Sequence, residues 1–86
     1  MMDIDNELLN NLDKLHTTKL GVERIKRNLS LDIDTSDVVD WCKTKISSVN
    51  AIISRNGKNC YVNVDNCIIT INVYSYTIIT AHKEKK

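Results

Sequence analysis

The 86 residues, 42% apolar and 27% charged, have globular proportions that exclude a disordered or fibrous chain. They leave room for one thin core, because so short a chain buries little more than ~60% of the surface it exposes when unfolded. A formal net charge of +1 excludes nucleic-acid binding by bulk electrostatics alone, and no run approaches the ~18 apolar residues of a membrane helix.

With no Pro and two Gly, the chain is expected to be mostly regular elements joined by tight connections. Its start, with Asp3, Asp5 and Glu7, is acidic where a signal peptide would be basic, so a cytoplasmic location is expected. Charge alternates in blocks: four acids in 3–13, net +4 in 14–27, net −4 in 32–40 and net +4 in 43–58. The plain reading is neutralisation between neighbouring helices. The sharper one is a basic stripe of Arg24, Arg27, Lys43, Lys45 and Lys58 for a phosphate or acidic partner.

Leu8, Leu9, Leu12 and Leu15 recur at spacings of three and four, which predicts a first helix over roughly Asp5 to Leu15. After His16, Thr17 or Thr18 can cap a second helix from about Lys19 to Asn28, with Val22, Ile25 and Leu29 as its apolar line. Gly21 is costly there and suggests close backbone approach. The polar cluster from Asp32 to Asp37 favours a cap and starts a third helix, buried through Val38, Val39, Trp41, Cys42 and Ile46. Its acids come first and Lys43 and Lys45 last, matching the helix dipole. Trp41 is expected against the sheet.

From Val49 the period becomes two and β-branched residues dominate. Asn56-Gly57 predicts a two-residue hairpin turn, and Asp65-Asn66 a second one. Pairing across them sets Ile53 against Cys60, Ala51 against Val62, Val64 against Cys67, Val62 against Ile69 and Cys60 against Ile71. One face is then apolar, from Val49, Ala51 and Ile53 through Cys60, Val62, Val64, Cys67, Ile69 and Ile71 to Val73, and the helices must cover it. The other face carries Asn50, Ile52, Ser54, Asn59, Tyr61, Asn63, Ile68, Thr70 and Asn72. A fourth strand, Tyr76 to about His82, is expected to send Tyr76, Ile78 and Thr80 inward and Ser75, Thr77, Ile79 and Ala81 outward. The expected fold is α+β: three N-terminal helices on one face of a four-stranded antiparallel meander. It forms a single domain over 1–86, with a helical half at 3–47, a sheet half at 49–82 and a basic tail at 83–86.

Three separated strings carry a family resemblance: His16-Thr17-Thr18-Lys19-Leu20-Gly21-Val22-Glu23-Arg24-Ile25, Gly57-Lys58-Asn59-Cys60-Tyr61-Val62, and Ile71-Asn72 through Tyr76-Thr77-Ile78-Ile79-Thr80-Ala81-His82. Together they resemble DUF3781, a family of small bacterial proteins of unknown function. The resemblance spans nearly the whole chain and implies no chemistry. The Ile- and Asn-rich composition suits a low-GC bacterial source.

In the register above Cys60 and Cys67 lie ~13 Å apart along the sheet, too far for a disulfide. There is no C-x-x-C, and His16 and His82 lack ligand spacing, so neither a metal nor a cofactor is expected. Buried thiols in a reducing cytosol are the plain reading; only Cys42, beside Lys43 and Lys45, approaches the electropositive setting of a nucleophile. No phosphate-cradling Gly loop or G-x-S-x-G is present.

Two readings of function stay open. The first is a non-enzymatic interaction module, as in a bacterial or phage conflict system. It would bind through the polar face or edge of the sheet, with Asn59, Tyr61, Asn63, Thr70, Asn72, Ser75 and Thr77 as the surface. A protein partner is expected, with a homodimer or RNA as alternatives and no membrane. The second is a small metal-independent ribonuclease of the toxin type, argued only by analogy of fold. It would use His82, His16, Tyr61, Arg24 and Lys58, with Thr70 and Thr77, to move protons and hold a phosphate. The plain readings are a strand-end residue for His82 and a loop residue for His16.

Overall fold

A computed structural model describes residues 8–34 and 37–84. The protein is α+β, with helices on one face of a five-stranded mixed sheet of order β1-β5-β4-β3-β2. The strands are β1 (His16–Thr17), β2 (Ile52–Asn56), β3 (Asn59–Val64), β4 (Cys67–Asn72) and β5 (Thr77–Lys83). The helices are α1 (Lys19–Leu29) and α2 (Val38–Ile46). Residues 8–10 are helical, and a 3-10 turn follows over Leu12–Lys14.

Alternation in β3 decides the layering. Cys60, Val62 and Val64 are buried, while Asn59, Tyr61 and Asn63 between them are half-exposed. The buried set meets Ile69, Ile71, Ile78 and Ala81 on the sheet and Leu8, Val22, Ile25, Leu29, Val38, Cys42 and Ile46 from the helical layer. Trp41 packs against this core from its margin. Truncating a wholly buried Ile such as Ile25 or Ile69 to Ala would cost ~2–5 kcal/mol, a large part of a small domain's stability. The β3–β4 register is as expected, with Cys60 opposite Ile71, Val62 opposite Ile69 and Val64 opposite Cys67. Asp65 and Asn66 both take positive φ in the turn between them.

The expectation of four antiparallel strands is corrected by β1, which pairs in parallel with β5 through His16–Thr77 and Thr17–Ile78. Two residues are too few to show a period. The Thr17 hydroxyl adds a 2.7 Å bond to the Ile78 carbonyl, and the His16 amide donates to Tyr76 O. The first expected helix is also corrected: the chain tightens to a 3-10 turn and Leu15 is extended, while residues 5–7 lie outside the described residues.

The first hairpin closes one residue later than expected. Asn56 pairs with Asn59, so Ile53 faces Val62 and Arg55 faces Cys60, with Gly57-Lys58 as the two turn residues. Of these two, only Gly57 takes positive φ, and glycine at the first central position suits a type II′ turn, which matches strand twist as well as type I′ does. Moving the turn by one residue shifts partners by two, so the faces are unchanged. Val49, expected in the core, is 98% exposed. It sits in turns held by Ser48 N–Lys45 O and Ala51 N–Ser48 O, and the strand begins only at Ile52.

On β5 the expected alternation breaks at a bulge. Thr70 pairs with Thr80 but Ile71 pairs with Ile78, which leaves Ile79 as the extra residue. Ile78 and Ala81, three residues apart, therefore both reach the core, and Thr80 is not an inward position. Tyr76, also expected inward, lies in the four-residue β4–β5 turn at φ 56 and packs at the margin of the core. Asn72 Oδ1 organises that turn by accepting from the Tyr74 and Ser75 amides.

Helix α1 starts on Thr18, whose hydroxyl accepts from Gly21 N at 3.0 Å. It ends in left-handed Ser30, with Ser30 N bonded to Arg27 O and Leu31 N to Lys26 O, a Schellman arrangement without its usual glycine. The acidic cluster before α2 does not cap it as expected. Asp37 is already helical and makes no side-chain cap bond, because capping needs an extended residue; Thr35 and Ser36 lie outside the described residues.

Gly21 marks a close contact between helix and sheet. A Cβ there would stand 2.3 Å from Thr17 Oγ1 and 3.4 Å from Ile78 O. Helix propensity alone would make Gly21→Ala stabilising by ~1 kcal/mol. We expect it instead to lower the urea midpoint, and Thr17→Ala to relieve the added cost, so that a double-mutant cycle gives favourable coupling between the two substitutions. Additive effects would show that the helix relaxes away from the sheet.

Candidate binding face

On the side of the sheet away from the helices, the pairing lays side chains out in three rows. The first crosses all five strands: Asn56, Asn59, Asn72, Thr77 and His16. The second is Ser54, Tyr61, Thr70 and Thr80, and the third Ile52, Asn63, Ile68 and His82. No carboxylate stands in any of them. The five strands of the first row span ~19 Å at ~4.8 Å per strand.

The expected surface residues are thus brought together. Asn59, Tyr61, Asn63 and Asn72 are half-exposed in the rows, Thr77 joins them, and Ser75 sits in the adjoining turn. Thr70 differs: between Tyr61 and Thr80 it is only 9% exposed, so its neighbours cover most of it. Asn59 Oδ1 is buried without a hydrogen-bond donor.

At the end of the sheet where β3 and β5 begin, three connections converge. Val73 N donates to Lys58 O, tying the β4–β5 turn to the β2–β3 turn, and His16 N to Tyr76 O ties in β1. His16 Nδ1 lies 3.0 Å from Lys14 O. A carbonyl only accepts, so Nδ1 carries the proton, and in the neutral ring Nε2 accepts from Thr77 Oγ1 at 3.1 Å. Thr77 Oγ1 in turn takes the Ser75 hydroxyl at 2.8 Å. The Arg55 guanidinium lies 5.8 Å from the Tyr74 ring centre, and Lys14 Nζ lies 5.7 Å from that of Tyr76.

The opposite end carries both signs, with Lys83 closing β5 beside Glu84. Asp65 accepts from Lys45 Nζ at 2.6 Å, and Lys45 also lies 5.5 Å over Trp41. A shallow, solvent-open hollow of ≈ 360 Å³ is lined there by Asn50, Ile52, Asn63, Asp65, Asn66 and Glu84. The proposed basic stripe is therefore divided: Lys45 is held by Asp65 at one end, while Lys58 stands in a turn at the other. Arg24 and Arg27 are exposed on α1.

The residues named for a ribonuclease are not assembled. His16 pairs beside Thr77 and His82 lies five residues further along β5, roughly 16 Å away. His82 Nδ1 is 3.1 Å from the carbonyl of Lys83. Lys58 shares the His16 end, whereas Arg24 belongs to the helical layer. The His16–Thr77 pair and the two cation–tyrosine pairs escape sequence reading, since neither a two-residue parallel strand nor a turn has a periodic signal.

Cys42, Cys60 and Cys67 are all thiols, and among the described residues no group of His, Cys, Asp and Glu can hold a metal ion. Cys42, the one candidate nucleophile, is wholly buried, and burial pushes its pKa from 9.0 up to about 12. It is therefore a protonated core side chain at neutral pH. Above pH 9 the unfolded chain loses this proton while the folded chain keeps it, so the thiol withdraws stability as pH rises from 9 to about 12, on the order of 4 kcal/mol in full. Urea titrations between pH 8.5 and 10.5 are expected to show a steeper loss for the wild type than for Cys42→Ala. Parallel slopes would contradict the assignment.

What fold and surface define is a two-layer α+β protein with helices on one side of its sheet and an uncharged polar face on the other. A family model described as a protein of unknown function, DUF3781, matches residues 9–82, and the chain belongs to that family. No curated protein and no solved structure matches it. Among the described residues no helix is long and apolar enough to cross a membrane.

Proposed function

We propose that this protein is a binding module that engages a macromolecular partner through the polar face of its sheet. The observation that carries this reading is the three-row surface itself: amides, hydroxyls and imidazoles around Tyr61, with no carboxylate in the rows, and with Asn28 of α1 reaching one member at the margin by donating to Thr80 Oγ1 at 3.4 Å. Such groups hydrogen-bond a partner without the desolvation cost of buried charge. The edge is a weaker candidate. Strand β2 is five residues long and ends in Arg55 and Asn56, and short edges bearing charge discourage strand addition. The separation of His16 from His82 gives the ribonuclease reading no support from geometry.

Site-specific photo-crosslinking in the native host tests the proposal. A benzoylphenylalanine at Tyr61 or Asn63 is expected to yield discrete adducts, and the same group at Glu23 or Lys26 on α1 none. Adducts from α1 with none from the sheet would overturn it. An adduct of twice the chain mass from Tyr61 would identify the partner as a second copy.

A further inference from the structure

We infer that Asn56 is a self-modification site: the Gly57 amide closes on its side chain, and the asparagine becomes aspartyl or isoaspartyl without help from an enzyme. Of the ten asparagines in the chain, Asn56 alone precedes glycine. After each of the other nine comes a residue with a side chain, which crowds the approach of its amide nitrogen to the asparagine Cγ. Gly57 brings no such obstacle, and nothing stands within 4 Å of where its Cβ would be.

The turn leaves both reacting groups free. Asn56 and Gly57 are exposed. The backbone bonds that close a two-residue turn join its flanking residues, here Asn56 and Asn59, so the Gly57 amide stays out of the ladder. Among the described residues the Asn56 side chain makes no hydrogen bond. Two neighbours in the first row are restrained by comparison: Asn72 Oδ1 holds the Tyr74 and Ser75 amides, and Asn59 Oδ1 is buried. Ring closure requires Asn56 to leave its extended conformation. Its location makes that cheap, because β2 is the outermost strand and its turn end can fray without opening the core. Arg55 Nε donates to Gly57 O at 2.9 Å, which keeps a cation near the nitrogen that must give up its proton.

The chemistry needs only water. Gly57 N, losing its proton to hydroxide, attacks Asn56 Cγ; the new C–N bond closes a succinimide ring as the Cγ–Nδ2 bond breaks, and Nδ2 takes a proton from water and leaves as ammonia. A water molecule then opens the ring. Attack at Cγ gives the aspartyl form, and attack at the main-chain carbonyl gives the isoaspartyl form, in which the chain runs through Cβ and Cγ and the former main-chain carbonyl becomes the free carboxylate. No atom is oxidised or reduced. Either product sets a carboxylate at the end of a row that had none. The isoaspartyl form also inserts one atom into the backbone at the residue that pairs with Asn59. Resting on the sheet-face reading, conversion therefore retires the face as a binding surface, and its rate sets a lifetime for that surface.

Nitrogen-15 NMR of the folded full chain at body temperature tests this, since the Asn56 side-chain signals vanish as ammonium appears. They are expected to fade first among the asparagines, several times faster at about pH 9 than at about pH 7, with isoaspartyl methyltransferase labelling the product. Gly57→Ala should slow the loss about tenfold or more, and Asn56→Gln should abolish the label. The second variant keeps the glycine, so it holds the test if Gly57→Ala, strained at φ +65, opens the hairpin. Photo-crosslinking from position 61 in Asn56→Asp, the stand-in for one product, is expected to fall about fivefold.

Survival of the Asn56 signals while another asparagine is lost, a rate indifferent to pH, or an unchanged label in Asn56→Gln overturns the inference. Conversion at Asn56 with full crosslinking from Asn56→Asp overturns its effect on binding. Absence of any adduct from position 61 with Asn56 intact counts against the sheet-face reading instead, and leaves the loss of the Asn56 signals as a separate result.

Discussion

The structure depends on one constraint, the burial of Cys60, Val62 and Val64 on a single side of β3. Because side chains alternate strictly along a strand, sealing those three under the helices commits Asn59, Tyr61 and Asn63 to the other side. Hydrogen-bonded neighbours inherit the choice. Ile69 and Ile71 follow inward on β4, Thr70 and Asn72 follow outward, and the surface is a by-product of the core.

That dependence explains how much was legible in the sequence. The β3–β4 pairing is written in two turn signals and an apolar alternation, and it is read correctly residue by residue. The β2–β3 turn is misplaced by one position, yet both sides of Ile53 and Ser54 survive, because parity tolerates a shift of two. Where parity itself breaks, at Ile79, the reading of Thr80 and Ala81 fails, because an inserted residue leaves no mark in an alternating run of β-branched side chains. The two-residue β1 carries no periodicity, so the placement of His16 beside Thr77 could come only from three dimensions.

Local chemistry and long-range packing agree in most of the chain and disagree at informative places. Ser30 takes a left-handed cap where glycine is usual, and Gly21 occupies a helix interior where alanine is favoured. The first lets Leu31 turn back onto the core; the second lets α1 approach the Ile78 backbone. In both, tertiary contact outweighs a local preference of about 1 kcal/mol. Thr18, by contrast, satisfies helix start and chain direction together.

The two margins of the sheet are unequal. Beyond β5 the backbone is occupied, first by the short parallel β1 and then by Asn28, whose amide donates to Ala81 O at 3.3 Å. Beyond β2 no described strand follows. A margin covered over part of its length is a poorer template for an added strand than one left open from end to end. Covering part of β5 in this way leaves β2 as the longer open margin, in a chain without a single proline to blunt it.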